Sequence, residues 1–214
     1  MKLIDLHIHT TGSDGTFTPT ELVDYAVKKN LAAVAITDHD TMRGIQEALD
    51  YIKKENKPLE FIPGMEISAK MQETYFGVHI LAYFPKKTEK ELQDIIKNFE
   101  VALDNSSRNY AEVIKIVSDF GGVTSLAHPK EYGMSMDKFS DVVGLLAKAG
   151  MKGVECYYTT HSKSETKRLK EIAASHNLFY TGGTDFHGAH KPGVDLGSGF
   201  GDLEIPYEII NFLN

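Results

Sequence analysis

Seven short apolar runs, most of them separated by helix-length stretches, constrain this chain more than any other feature. They are Leu3 to His9, Ala32 to Thr37, Leu59 to Pro63, Val78 to Tyr83, Val123 to Ala127, Gly153 to Tyr157 and Leu178 to Thr181. Strands joined by connections of that length need crossovers, which makes their sheet mostly parallel. Ala32-Ala33-Val34-Ala35-Ile36 is apolar at every position, as expected of a strand covered on both faces. The connections carry helix signals. Thr18-Pro19-Thr20-Glu21 offers an N-cap, a proline at the first helical position and a capping-box glutamate, and Thr88 with Glu91 and Ser162 with Glu165 repeat the box. Ile45, Ala48, Leu49 and Ile52 follow helical spacing, as do Tyr110, Val113, Ile114 and Val117. The link between Leu59–Pro63 and Val78–Tyr83 is short and polar, which leaves that pair open to antiparallel pairing. The expected fold class is α/β, a distorted (β/α)7 barrel formed as a single domain over residues 1–214.

Composition narrows the function. The chain has 214 residues, 42% of them hydrophobic, enough to fill one barrel core. Thirty acids against 23 bases give a formal net charge of −7, which argues against an extended nucleic-acid surface. No apolar run approaches the ~20 residues of a membrane span. Met1-Lys2 leads directly into the first apolar run, without a charged-then-apolar leader, so a cytoplasmic location is expected. The one cysteine, Cys156, has no internal disulfide partner and is expected to be a buried, inert thiol.

Ligand-type residues recur at or near the ends of these runs: Asp5-Leu6-His7-Ile8-His9, Asp38-His39-Asp40, Gly64-Met65-Glu66, Val78-His79, Ala127-His128-Pro129 and Thr184-Asp185-Phe186-His187. Active sites of parallel barrels form at the mouth where the strands end, so residues far apart in sequence can meet there. His7 and His9 lie two apart and share a strand face, and Asp185 and His187 repeat that spacing. Asp14, in Thr11-Gly12-Ser13-Asp14-Gly15, is placed to fold back over them. Asp5 is expected to orient an imidazole from behind rather than to bind metal itself. Histidine with carboxylate is a donor set for divalent Mn, Fe or Zn.

These motifs, in this order and spacing from residue 3 to about 197, resemble those of the PHP (polymerase and histidinol phosphatase) superfamily. The resemblance implies a seven-stranded barrel, the PHP fold, holding two to three divalent ions. His7, His9, Glu66 and Asp185 would surround one; Asp14, His39 and His187 would hold the second; Glu66 would bridge to a third, completed by His79 and His128. It further implies a metal-dependent phosphoesterase in which ions neutralise phosphate oxygens and lower the pKa of a bridging water to give the attacking hydroxide. The substrate would be a small phosphorylated molecule, including a nucleotide or an oligonucleotide end. Two alternatives stay open: a histidinol-phosphate phosphatase, and a non-catalytic, metal-stabilised PHP module of a larger assembly.

Around the ligands, Arg108 resembles an arginine that similar proteins direct at phosphate, with a solvated helix-end arginine as the alternative. His161 stands for a substrate or leaving-group contact, or for a surface-loop histidine. Lys130 follows the Ala127-His128-Pro129 motif, His190 and Lys191 are candidates to line the entrance, and His176 is expected at the surface. Related nucleotide-cleaving proteins insert a helical subdomain between the fourth and fifth strands. Here only Phe84 to Gly122 intervenes, room for about two helices.

Overall fold

The computed structural model describes residues 2–74 and 77–213. Its strands are β1 (Leu3–Asp5), β2 (Leu31–Ile36), β3 (Glu60–Ala69), β4 (Val78–Tyr83), β5 (Val123–Leu126), β6 (Gly153–Tyr158) and β7 (Phe179–Gly183). They form a seven-stranded sheet in sequence order. The α-helices are α1 (Pro19–Lys28), α2 (Arg43–Glu55), α3 (Glu89–Asp104), α4 (Tyr110–Asp119), α5 (Met136–Lys148) and α6 (Lys163–Ser175). The last strand returns to the first. Ile8 and Phe186 form a parallel bridge, and Leu6 N–H donates to the Gly182 carbonyl, so the sheet curls into a nearly closed barrel.

β2 shows how the two faces are filled. Ala33 and Ala35 join Ile4, Leu6, Ile62, Leu81 and Tyr83 in a cluster drawn from the strands and from Ile205 and Ile210 near the C-terminus. Val34 and Ile36 join the larger cluster under the helices, with Leu22, Ile45, Phe99, Val113, Val143 and Leu169. Both faces of the strand are dry, which is why its sequence shows no polar alternation. The three capping boxes form at α1, α3 and α6 with both reciprocal hydrogen bonds in place. Replacing such a cap by alanine typically costs about 1 kcal/mol. Helix α5 was not among the expected elements, although Phe139, Val142, Val143 and Leu146 carry the i, i+3, i+4, i+7 spacing and are buried.

Two departures from the expected strands, and the antiparallel pairing left open for the third and fourth, shape the site. β1 ends at Asp5 rather than His9, because beyond it Thr37 replaces the ladder: Thr37 N–H donates to the Ile8 carbonyl and its hydroxyl accepts from Ile8 N–H. β3 runs on from Pro63 to Ala69, because Gly64–Ala69 pairs antiparallel with β4. Glu66 therefore lies inside a strand, not beyond the end of one. Finally, β4 runs antiparallel to both neighbours. Its link from β3 is too short for a crossover. After β4, two helices instead of one carry the chain back to the near end of the sheet, so β5 resumes the direction of the other strands.

Candidate metal centre

The reversal of β4 decides where His79 sits. It is the second residue of β4, yet it pairs with Ser68 near the end of β3, two residues from Glu66 on the same face. His39 bridges to Glu66 from the end of β2. The turn carrying Asp14 is tied down by buried Asp38, whose carboxylate accepts from Thr10 N–H at 2.6 Å, the Thr10 hydroxyl at 2.6 Å and the Ser13 hydroxyl at 2.8 Å. Gly183 lets the end of β7 lie against His7, because a Cβ there would sit 2.1 Å from the His7 Cβ. All nine expected ligand residues meet at one end of the barrel.

They meet as three abutting groups of donors. In the first, His7 Nε2 and His9 Nε2 lie 3.0 and 3.1 Å from Glu66 Oε2, and 3.6 and 3.3 Å from Asp185 Oδ1. In the second, Asp14 lies 3.3 Å from His187 Nε2, 3.9 Å from His39 Nε2 and 3.5 Å from His9 Nδ1. In the third, Glu66 Oε1 lies 2.9 Å from His79 Nδ1 and 2.8 Å from His128 Nε2, and these two nitrogens are 3.2 Å apart. Glu66 thus turns one oxygen to each of two groups. His9 and His39 were each expected in a single group, but both stand between two: His39 Nδ1 also approaches Glu66 Oε2, at 3.3 Å.

The electrostatics fit a cationic occupant. Burial opposes the ionised form of Glu66, yet His7, His128 and His79 hold its carboxyl well below the usual range. Burial likewise opposes the charge on Asp185, and His7, His9 and Lys191 outweigh it. Burial would depress His7, but Glu155, Glu66 and Asp185 raise it well above its ordinary value. His9 and His128 are raised in the same way, against burial, mainly by their carboxylate neighbours. His39 and His187 are lowered, chiefly by burial, and so keep free lone pairs at neutral pH. Both ring nitrogens of His9 and Asp185 Oδ1 are buried without a hydrogen-bond partner. A buried carboxylate oxygen left without a hydrogen bond is costly, and a bound cation removes that cost. The donor types and their spacing could hold metal ions.

The surrounding residues correct several expectations. Asp5 does not orient an imidazole. Its two oxygens are taken by the N–H groups of Thr184, Gly197 and His7 and by the Thr184 hydroxyl, tying β1 to the end of β7, and burial pushes its carboxyl up to about 6. The carboxylate behind His7 is Glu155, 3.0 Å from Nδ1. The visible signal for it was a lone charge inside the apolar run Gly153–Tyr157. Arg108 borders a groove of about 740 Å³ that also touches His79, but its guanidinium is already paired with Asp40 and Asp104. His161 stands outside the donor groups. One ring nitrogen meets the Cys156 carbonyl at 3.0 Å, the other is buried without a partner, and the residue lines a separate groove with Lys163, Lys167 and Lys170. Lys130 pairs with Glu165 and the Thr160 carbonyl. Lys191 reaches Asp185 Oδ2, as does the Tyr158 hydroxyl at 2.8 Å, while His190 meets the Asp14 carbonyl at 2.7 Å. His176 is half-buried rather than at the surface, because it closes α6 against Gly144 of α5. Cys156 is buried as expected, and burial pushes its thiol up.

With this geometry, residues 5–178 match the PHP domain family. The chain belongs to the PHP family. It is 26% identical to the 5′-3′ exoribonuclease Rnm of Escherichia coli, over 91% of this chain and 88% of that protein. It is 21% identical to a 3′,5′-nucleoside bisphosphate phosphatase of Chromobacterium violaceum, over 92% and 91%. Among solved structures, a Bifidobacterium adolescentis protein described as a metal-dependent phosphoesterase superposes with a TM-score of 0.73 at 26% identity, over 99% and 96% of the two chains. A Chromobacterium violaceum protein described as an amidohydrolase with bound sulfate shares the fold, with a TM-score of 0.75 at 21% identity, over 98% and 96%. The alignment to the Escherichia coli protein spans 261 positions against the 214 residues here, so that relative carries segments with no counterpart in this PHP protein. Among the described residues no helix is long and apolar enough to cross a membrane.

Proposed function

We propose that this protein hydrolyses a phosphate ester of a small molecule or nucleotide at the barrel mouth, with two to three divalent ions held by the nine residues His7, His9, Asp14, His39, Glu66, His79, His128, Asp185 and His187. Its family and its relatives make the chain a metal-dependent phosphoesterase. What supports this substrate class and ion count is the convergence of every candidate ligand at one mouth, with Glu66 directed into two groups.

Ions bound there would supply charge neutralisation of phosphate oxygens and an acidified water for in-line attack. The chain's own residues supply position and field. Glu66, Asp185 and Asp14 set the negative charge against which cations bind, and Lys191 at Asp185 adds a positive charge where a phosphate would arrive. Arg108 lines the same groove as His79 but is held by two carboxylates, so its approach to a phosphate requires release from Asp40 or Asp104. The groove lined by Ser68, Lys70, His79, Ser107, Arg108 and Asn109 offers room for the organic part of the substrate.

The test is a screen of the metal-loaded protein on p-nitrophenyl phosphate, its diester analogue, nucleoside 3′,5′-bisphosphates, 5′-phosphorylated oligonucleotides and histidinol phosphate. Turnover of a nucleotide or small phosphate ester is the expected result. Fast turnover of histidinol phosphate without nucleotide activity would replace this reading with the amino-alcohol phosphatase. No hydrolysis of any ester by fully loaded protein would leave a metal-stabilised binding module.

A further inference from the structure

Glu155 is fully buried in β6, and each of its oxygens has a separate task. Oε1 lies 3.0 Å from His7 Nδ1, and Oε2 accepts the backbone N–H of His128 at 2.6 Å. His7 belongs to the first donor group and His128 to the third, and the two residues follow strands on different sides of β6 in the barrel order. His128 needs such a hold: its backbone is in the left-handed region at φ 26°, ψ 62°, where a side chain with a Cβ rarely stays unaided. Immediately after Glu155 the register of β6 against β7 slips by one residue, a bulge of the kind that re-aims side chains beside active sites.

We propose that Glu155 is a positioning residue that sets two donor groups at once. With Glu155 Oε1 accepting at Nδ1, a neutral His7 ring carries its proton there and turns Nε2 to Glu66 and Asp185 as the nitrogen that would bind metal. The other oxygen holds the His128 backbone so that His128 Nε2 meets Glu66 Oε1. The span between the two contacts requires both oxygens of one buried carboxylate.

This makes an unusual demand on the isosteric variant Glu155→Gln. The His128 N–H needs an acceptor at 2.6 Å, so the amide oxygen must take that side. The amide NH2 then faces His7 Nδ1, which has to accept, and the ring proton moves to Nε2, the nitrogen that would bind metal. The shape is conserved and the donor is blocked.

The inference rests on reading the cluster as a metal site, and a Zn2+ titration of the metal-free wild-type protein by calorimetry tests that reading separately. In Glu155→Gln, Zn2+ affinity is expected to fall roughly 10- to 100-fold at the site that His7 serves, while the site that His128 serves keeps its backbone hold. 15N NMR of the Zn2+-treated protein should show the His7 proton on Nε2 instead of Nδ1. Wild-type affinity at both sites overturns the proposal. So does weakened binding with the His7 proton still on Nδ1, because that pattern marks a merely structural role. Should Glu155→Gln fail to fold without metal, Glu155→Asp takes its place. Its carboxylate keeps the Nδ1 proton but is shorter by one methylene, so one of the two sites should weaken and the His7 tautomer should persist; undiminished affinity at both sites overturns the span. Wild-type protein that binds no Zn2+ overturns both this inference and the metal reading beneath it.

Discussion

The donors at the bottom of the mouth and those at its rim differ in one physical respect, their access to water. His7 and His9 are fully buried and Glu66 is 1% exposed, whereas Asp14 is 54%, His79 37% and His39 30% exposed. A buried charge must be compensated by its neighbours, so the deep donors are held by one another and by Glu155 whether or not metal is present. The rim donors are solvated, and their mutual interactions are screened. The deep group is therefore preorganised and demanding, and the rim group adaptable. An ion at the rim should exchange easily and an ion at depth slowly.

Chelation gives the largest effect and the first way to break this contrast. Exhaustive removal of metal should abolish turnover, and brief mild chelation should strip the rim ion before the deep one. Metal analysis alongside rate shows the order; simultaneous loss of all ions would erase the distinction. Substituting Glu66 comes next. Glu66→Gln keeps the shape but removes charge from two groups at once, for an expected loss of several kcal/mol, on the order of 10³ in rate. His128→Ala should empty one group only and lose less metal and less rate. Full occupancy and near-normal rate in Glu66→Gln would show that the deep group is not the reaction centre.

A smaller effect is expected at the rim. Asp14→Asn should weaken one ion by about tenfold, a loss that excess metal restores, because the site is open to solvent. A deficit that persists at saturating metal would mean that Asp14 acts on substrate as well. The smallest effect is on stability. His7, His9 and His128 have raised pKa values in the fold. For each, the stability contribution is complete below the unfolded value and is lost as pH rises through the folded value. His39 and His187, being lowered, contribute in the opposite sense, but they are fewer. Metal-free protein should thus melt several degrees lower at pH 8 than at pH 6, since one pKa unit is about 1.4 kcal/mol and each kcal/mol is roughly 2–4 °C in a chain of this size. Metal loading should remove that slope, and an unchanged slope would show that the deep histidines are not where the ions bind.

Much of the site was legible because strand ends punctuate a parallel barrel and its donors sit near them. His7, His9, His39, His128, Asp185 and His187 could be read as one constellation from their positions after apolar runs. Glu155 was not legible: a carboxylate inside an apolar strand reads as a chemical oddity until a histidine ring is placed against it. The expectation for Asp5 failed for the same reason, since its competing donors come from Thr184 and Gly197, 179 and 192 residues away.

The sequence by itself determined the seven strands as elements, the three helices with capping boxes and the candidate donors, because periodicity, capping and side-chain chemistry are local properties. Tertiary structure decided the reversal of β4, which the short polar link had left open, and so brought His79 to the same mouth as the ends of the other strands. It also decided which carboxylate stands behind His7, which groups His9 and His39 straddle, and that Arg108 is already paired. Those outcomes depend on strand register and on which buried charges find one another, and neither is settled until the barrel has closed.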